Sequence, residues 1–340
     1  PGSAWRWPWI DSMTMTSLSS KHLNTNTRYL SHSNLGHNIM HHTIARTITR
    51  ACRPLRPRTT ASQIRTNYTA PMNEVRFLLN NVWNVADHYE KMENTGGQNA
   101  DKDMTEMVLT EMAKFCEQEL SPLNETADVE GCTWIDEHTV TTPTGFKEAY
   151  DKYVEGGWQG WNYSEEYGGQ GLPYSMSLFA TEMAATANWT WTMYPGLSKG
   201  AINTIIEHGS DSMKSTYLPP LVEGRWTGTM CLTEPQCGSD LGQVATKAIP
   251  NGDGTYKITG TKIFISCGEH DMTENIVHCV LARLPDAPEG TRGISLFLVP
   301  KNKVDNDTMA VGELNGCKIG RIEDKMGCHG SSTCEINFEE

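Results

Sequence analysis

Hydrophobic and polar positions follow a helical pattern over the middle of the chain and give way to strand-like segments after it. From Pro71 apolar residues recur at spacings of three and four, with Val75, Leu78, Leu79 and Val82 on one helical face. Asn94-Thr-Gly-Gly97 interrupts the pattern. Residues 103–119 resume it: Met104, Met107, Val108, Met112 and Phe115 form a stripe opposite Glu106, Glu111, Lys114 and Glu117. Ser121-Pro122 should stop this helix, because a residue that precedes proline avoids helical backbone angles. Further helical spacing covers residues 145–153, 176–190 and 201–208. Near Arg225 the composition changes, and residues 226–232, 243–249, 256–266, 276–284, 293–300 and 334–338 read as strands between Gly, Pro, Asn and Asp turns. Asn251-Gly-Asp-Gly254 predicts a hairpin, since these residues tolerate the positive φ of tight turns. The expected fold is α+β, with a helical domain over residues 71–225 followed by a β-barrel or β-sandwich domain over 226–340.

Composition alters this picture mainly at the N-terminal end. The chain has 340 residues, 38% hydrophobic and 20% charged, and a net charge of -13. Residues 1–70 carry nine Lys or Arg against a single acid, so residues 71–340 hold -21. A body that acidic argues against nucleic-acid binding. No segment has the length of apolar sequence that a transmembrane helix needs. From Met13 to Asn73 there is no Asp or Glu, while Arg28, Arg46, Arg50, Arg53, Arg56, Arg58 and Arg65 lie among Ser, Thr and Asn. Residues 1–70 therefore read as a targeting segment of organelle-transit type, the alternative being a disordered basic arm. Residues 1–12 precede the first methionine and are left out of the fold reading.

Ten cysteines without any Cys-x-x-Cys spacing argue against a zinc ribbon and against thioredoxin-type chemistry. They read as buried or idle thiols. No His-Glu-x-x-His spacing occurs, and no metal site is expected. Gly168-Gly169-Gln170-Gly171 has neither the spacing nor the strand–helix context of a dinucleotide loop and reads as a plain loop. Ser239 has no Ser-His-Asp arrangement and no Gly-x-Ser-x-Gly elbow to make it a nucleophile.

Candidate chemistry gathers in two stretches. Met230-Cys-Leu-Thr-Glu-Pro-Gln-Cys-Gly-Ser-Asp240 is a strand that breaks into a turn rich in small polar donors, and Tyr256-Lys-Ile-Thr-Gly-Thr-Lys-Ile-Phe-Ile-Ser266 is a β-branched strand ending in a hydroxyl residue. A flat ligand with one polar edge needs that combination of apolar wall and donors. Taken alone, Phe264 is an ordinary core residue of a strand, and Thr233 and Ser266 are ordinary strand-end residues. Together the two stretches resemble the flavin-contacting strands of acyl-CoA dehydrogenases. The resemblance continues through Tyr167-Gly-Gly-Gln-Gly-Leu-Pro173, Leu197-Ser-Lys-Gly-Ala-Ile202, Gly268-Glu-His-Asp-Met-Thr-Glu-Asn-Ile-Val-His278, Gly293-Ile-Ser-Leu-Phe-Leu-Val-Pro-Lys301 and Lys325-Met-Gly-Cys-His-Gly-Ser-Ser-Thr-Cys-Glu335. It spans residues 71–340 and is strongest to the 3-methylmercaptopropionyl-CoA dehydrogenase-like branch.

The resemblance implies an FAD cofactor. Met230, Leu232 and Thr233 would lie along its pyrimidine edge, Phe264 against the ring face and Ser266 near the reactive N5. Where this chain has Phe264, Ser266 and Cys237 the common family pattern has Trp, Thr and Ala; an aromatic face and a hydroxyl are preserved. Ser239 would hold the pantetheine or phosphate portion of an acyl-CoA, Asp240 would be a turn or cap residue, and Glu234 would be structural. The implied reaction is α,β-dehydrogenation of an acyl-CoA to the 2-enoyl-CoA, with electrons passed to an electron-transfer flavoprotein. A mitochondrial matrix location and a homodimer are implied as well. The family's catalytic glutamate belongs to a C-terminal helical bundle that is expected to be absent from these 340 residues, so no residue is assigned as the base. Two alternatives stay open: an acyl-CoA oxidase, and a non-catalytic flavin- or acyl-CoA-binding fragment.

Overall fold

The computed structural model describes residues 68–92, 100–306 and 308–339. The targeting segment expected over residues 1–70 falls almost wholly outside the described residues, as does the Asn94-Thr-Gly-Gly97 interruption. In the helical region α1 (Met72–Phe77) runs into a π turn (Leu78–Val82), followed by α2 (Val85–Glu90) and α3 (Lys102–Phe115). Asp101 caps α3, its carboxylate accepting Met104 N–H at 2.8 Å. The buried stripe of α3 is Thr105, Leu109, Met112 and Phe115. Met104 and Met107, expected on that stripe, are exposed, so the face turned to the core is rotated by about one residue. α4 (Leu123–Glu130) is a helix that the Ser121-Pro122 stop signal concealed. Pro122 ends one helix and stands at the N-terminus of the next, where its missing N–H has no partner to lose.

A short hairpin, β1 (Thr133–Asp136) with β2 (Thr139–Thr141), leads into α5 (Phe146–Glu155), α6 (Tyr174–Ala187), α7 (Trp189–His208) and α8 (Asp211–Glu223). Sequence spacing merges the end of α6 with the start of α7. The division is made by Asn188, whose extended backbone closes α6 while its side chain accepts Trp191 N–H at 3.0 Å. The helical spacing read from sequence leaves residues 191–200 and 209–225 unassigned; α7 runs through Pro195 and α8 through Pro219 and Pro220, which helices seldom carry inside them. The helical core packs Leu109, Met112 and Phe115 against Met176, Ala180, Met183 and Trp191.

The predicted β region is a seven-stranded sheet ordered β10-β11-β5-β4-β6-β3, with β7 paired to β6. Its strands are β3 (Trp226–Cys231), β4 (Lys247–Pro250), β5 (Tyr256–Ile265), β6 (Asn275–Arg283), β7 (Ile294–Pro300), β10 (Cys317–Ile322) and β11 (Cys334–Glu339). A separate pair, β8 (Asn302–Val304) and β9 (Val311–Leu314), lies beside it. The expected hairpin joins β4 to β5, with Gly252 and Gly254 at φ of 90° and 94°. β3 runs parallel to β6 along residues 275–280, and β4 meets the same edge of β6 at Arg283. The end of β3 is thereby aimed at β5, where Ile263 N–H donates to Thr233 C=O at 2.9 Å.

Helix α7 fixes β3 from behind. A Cβ on Gly228 would lie 2.4 Å from Ala201 Cβ, so only glycine permits this approach of helix to strand. Ser198 Oγ, fully buried, accepts Gly228 N–H at 3.1 Å and donates to Tyr194 C=O at 3.0 Å. Ile202, Ile205, Leu218, Leu221, Trp226 and Val277 close a separate apolar cluster around this junction. The helical and β regions thus share one packed unit at the strand that carries the candidate site.

Candidate functional site

The ends of β3 and β5 converge, and a buried ion pair holds them together. Lys262 Nζ lies 2.8 Å from Glu234 Oε1, with side-chain exposures of 0% and 3%. The same ammonium donates to Leu232 C=O at 3.2 Å. Glu234 also accepts the Thr246 hydroxyl at 2.6 Å and the backbone N–H groups of Ala245 and Thr246. Burial alone would push the Glu234 carboxyl up, but the Lys262 ammonium, the Thr246 hydroxyl and the backbone donors outweigh it and hold it at about 2. With every lone pair engaged and no free approach, Glu234 is a structural anion, in line with the expectation that it is no base.

Around this staple the six predicted site residues take distinct places. Met230 is 40% exposed between the buried Thr229 and Cys231. Leu232 and Thr233 are half-buried where the strand turns. Glu234 and Cys237 exchange backbone hydrogen bonds of 2.8 and 3.0 Å around Pro235-Gln236, and this tight turn carries Gly238 back against the Thr233 methyl. Ser239 follows, exposed, and Asp240 caps the next turn by accepting Gly242 N–H at 3.2 Å. The hydroxyls of Thr233, Ser239 and Ser266 have no hydrogen-bond partner among the described residues, in contrast to Thr229, Thr246 and Thr261 nearby. Three unengaged hydroxyls around one turn and one strand end can donate to a polar ligand edge.

Phe264 departs from its ordinary core reading. Cys334 pairs with Ile265 and Ile336 with Lys262, so β5 carries one residue more than β11 over this stretch. That is a β-bulge. Phe264 sits in it at φ 58°, a left-handed backbone that disfavours a bulky side chain, and is 57% exposed while Ile263 and Ile265 are buried. The bulge turns an aromatic ring outward beside a free hydroxyl at Ser266.

Two positioning residues escaped the sequence reading. Lys262 was read as one more strand residue; a lysine amid Ile-Thr-Gly-Thr and Ile-Phe-Ile is the signal that could have revealed it, since a buried lysine requires an anion. Arg283 clamps the turn region. Its guanidinium donates to the carbonyls of Val244 at 2.6 Å, Gly242 at 2.7 Å, Gly290 at 2.8 Å and Pro288 at 3.1 Å. These bonds also explain why β4 begins at Lys247 rather than at residue 243: the Gly242 and Val244 carbonyls serve the arginine rather than a ladder.

Other titratable groups near the sheet are locked. Burial, with help from the Lys301 charge, pushes His270 and His278 down to about 3, so both are neutral at pH 7 and hydrogen-bonded to Thr227 and Thr229. Seven of the nine described cysteines, all free thiols, are buried, in line with the reading of them as mostly buried. Glu339 pairs with Lys318 at 2.7 Å on the strand surface, while Glu340 lies outside the described residues.

Comparison with known proteins decides the family. Residues 102–225 match the acyl-CoA dehydrogenase N-terminal domain, and residues 229–340 match the acyl-CoA dehydrogenase middle domain. The chain belongs to the acyl-CoA dehydrogenase family. It is 40% identical over 274 residues to the 3-methylmercaptopropionyl-CoA dehydrogenase of Ruegeria pomeroyi, covering 80% of this chain and 45% of that protein. Butyryl-CoA dehydrogenase from Megasphaera elsdenii superposes with a TM-score of 0.55 at 28% identity, over 71% of this chain and 56% of the other. An acyl-CoA dehydrogenase of Bacillus anthracis complexed with FAD gives the same TM-score at 25% identity, over 71% and 36% of the two chains. The chain therefore spans about half the length of such relatives or less. Among the described residues, no helix is long and apolar enough to cross a membrane.

Proposed function

We propose that this family member acts as an FAD-dependent dehydrogenase that converts an acyl-CoA to its 2-enoyl-CoA. The observation that carries the reading is the juncture of β3 and β5, where a bulge presents Phe264 outward between strand ends bearing the unengaged hydroxyls of Thr233 and Ser266. These residues fit an isoalloxazine ring: Phe264 and Met230 offer apolar surface, while Thr233, Ser266 and the amides beside Leu232 offer donors to its polar edge. Bound FAD would supply the hydride acceptor. Ser239, exposed on a turn that Arg283 shapes, would donate to the pantetheine or phosphate portion of the thioester. The resemblance over 274 residues favours 3-methylmercaptopropionyl-CoA or a medium- to long-chain acyl-CoA. An electron-transfer flavoprotein as acceptor and a homodimer as the assembly are the family expectation, and the mitochondrial matrix is the location proposed from the N-terminal composition. The basic, acid-free residues 13–73 support that location.

Residues 71–340 alone, in which no base is assigned, should hold FAD weakly and turn nothing over. The test therefore loads the full-length gene product with FAD and adds acyl-CoA thioesters of graded length without oxygen. The flavin absorbance should bleach with one class of chain and recover on adding an electron-transfer flavoprotein. Flavin that stays oxidised with every thioester would sink the reading. Two substitutions probe the cofactor contacts. Thr233→Val should weaken FAD binding by about 1 kcal/mol through loss of one donor, as read by flavin fluorescence titration. Phe264→Gly should separate binding from folding. Relief of the left-handed backbone should leave stability unchanged or raise it by about 1 kcal/mol, while loss of the aromatic wall weakens FAD roughly tenfold. A Phe264→Gly protein that melts lower and binds FAD unchanged would reverse both assignments.

A further inference from the structure

Lys199 on α7 is placed for a chemistry that the candidate flavin site does not use. Its side chain lines a crevice in the helical region together with Tyr153, Trp158, Trp161, Thr181 and Trp191. The enclosed part measures about 20 Å³, room for about one water. Nζ has one polar partner, the Thr181 hydroxyl at a long 3.5 Å, and makes no ion pair among the described residues. Lys147, Lys152, Lys262 and Lys301 each carry a carboxylate. No acid and no second base lines the crevice; Tyr153 is the titratable neighbour, and burial keeps its phenol neutral. The Tyr163 hydroxyl, also neutral through burial, bonds the Lys199 backbone carbonyl at 3.5 Å. With nothing to stabilise its charge, burial lowers the ammonium to about 8. Gly196, one helical turn before Lys199, is exposed and has open space where a Cβ would stand.

We propose that Lys199 is a site of covalent N-acylation by acyl thioesters. The Nζ lone pair, approached over Gly196, attacks the thioester carbonyl carbon. A C–N bond forms, the C–S bond breaks, and the thiolate leaves and takes up the proton shed by nitrogen. The products are a lysine amide and a free thiol, with no change in oxidation state. The crevice itself has room for about one water, so the acyl group stays at its mouth beside Gly196, and the amide removes the one charge in the crevice. That acyl-CoA is the thioester at hand rests on the function proposed above; the reactivity of the amine does not.

The experiment is to incubate the full chain separately with acetyl-CoA and with S-acetyl-N-acetylcysteamine, a thioester lacking the nucleotide, and to follow each lysine by peptide mass spectrometry. At about pH 8 roughly half of the Lys199 amines are neutral against under about 1% for an ordinary lysine, so Lys199 should react on the order of tenfold faster than the exposed Lys91 and Lys247. Its rate should level off above about pH 8, while theirs keep climbing. Lys199→Arg should remove the early product, and Trp158→Ala, by admitting water, should move the midpoint of the rate profile upward. If Lys199 reacts first with the cysteamine thioester but not with acetyl-CoA, the acylation site stands and it is the acyl-CoA reading that fails. If Lys199 is modified no faster than Lys247 by either reagent, the proposal is overturned.

Discussion

Lys262→Met should lower the unfolding free energy at neutral pH by about 3–5 kcal/mol, because it strands the Glu234 carboxylate in a nearly dry site. Glu234→Gln should cost a similar amount by stranding the ammonium. The double replacement Lys262→Met with Glu234→Met should recover part of the loss, since neither desolvated charge remains. Denaturant unfolding of the four proteins measures the coupling. Single variants within about 1 kcal/mol of the parent would show that the pair is not the staple described here. The pair also sets an acid dependence. The folded carboxyl is depressed to about 2, below the unfolded value of about 4.3, so its contribution is complete above the unfolded value. It is lost as pH falls from about 4 towards about 2, and amounts to roughly 3 kcal/mol. The acid limb of the stability profile should therefore flatten in the double variant. Because the staple joins the strand end at Thr233 to the strand holding Phe264, loss of flavin affinity should accompany loss of stability.

The second large effect is expected in the helical core. Trp191 is fully buried, stacks edge-on against Phe115 and Tyr153 at centroid distances of 5.8 and 5.4 Å, and donates Nε1–H to Phe146 C=O at 3.2 Å. Trp191→Ala should cost about 3–5 kcal/mol through the lost transfer energy and the cavity left behind. A melting temperature lowered by on the order of 10 °C is the corresponding thermal signature. Trp191→Phe, which keeps an aromatic body but loses the indole donor, should cost less than half as much. A Trp191→Ala protein melting with the parent would mean that α5 and α7 do not share the packed core described here.

Much of the arrangement was legible because local rules and tertiary structure agree. The Asn251-Gly-Asp-Gly254 hairpin, the change from helical to strand-like composition near Arg225 and the Asp240 cap each follow from residues whose backbone preference has one cheap solution. Where the reading failed, a local signal was overruled. Ser121-Pro122 marked a helix end, yet α4 follows at once because Pro122 stands at its N-terminus, where no bond is lost. α7 and α8 carry Pro195, Pro219 and Pro220 inside them because tertiary packing compensates for the missing bonds. β10 escaped because its alternation lasts only from Cys317 to Ile319 before Gly320 and Arg321 break it at a register shift, and it becomes a strand by pairing with β11.

At the candidate site the division is sharper. Sequence by itself determined which two segments matter, since their ordered motifs identify the family and name Met230, Leu232, Thr233, Ser239, Phe264 and Ser266. It could not show that the two segments meet, because the Ile263-to-Thr233 hydrogen bond and the Lys262–Glu234 ion pair join residues about thirty positions apart, and periodicity reports only on near neighbours. Nor could it turn Phe264 outward. A strict alternation has no extra residue, and the bulge exists only in the register between β5 and β11. The desolvation of Lys199 was equally hidden, because burial is set by which helices close around an amine and has no local sequence code.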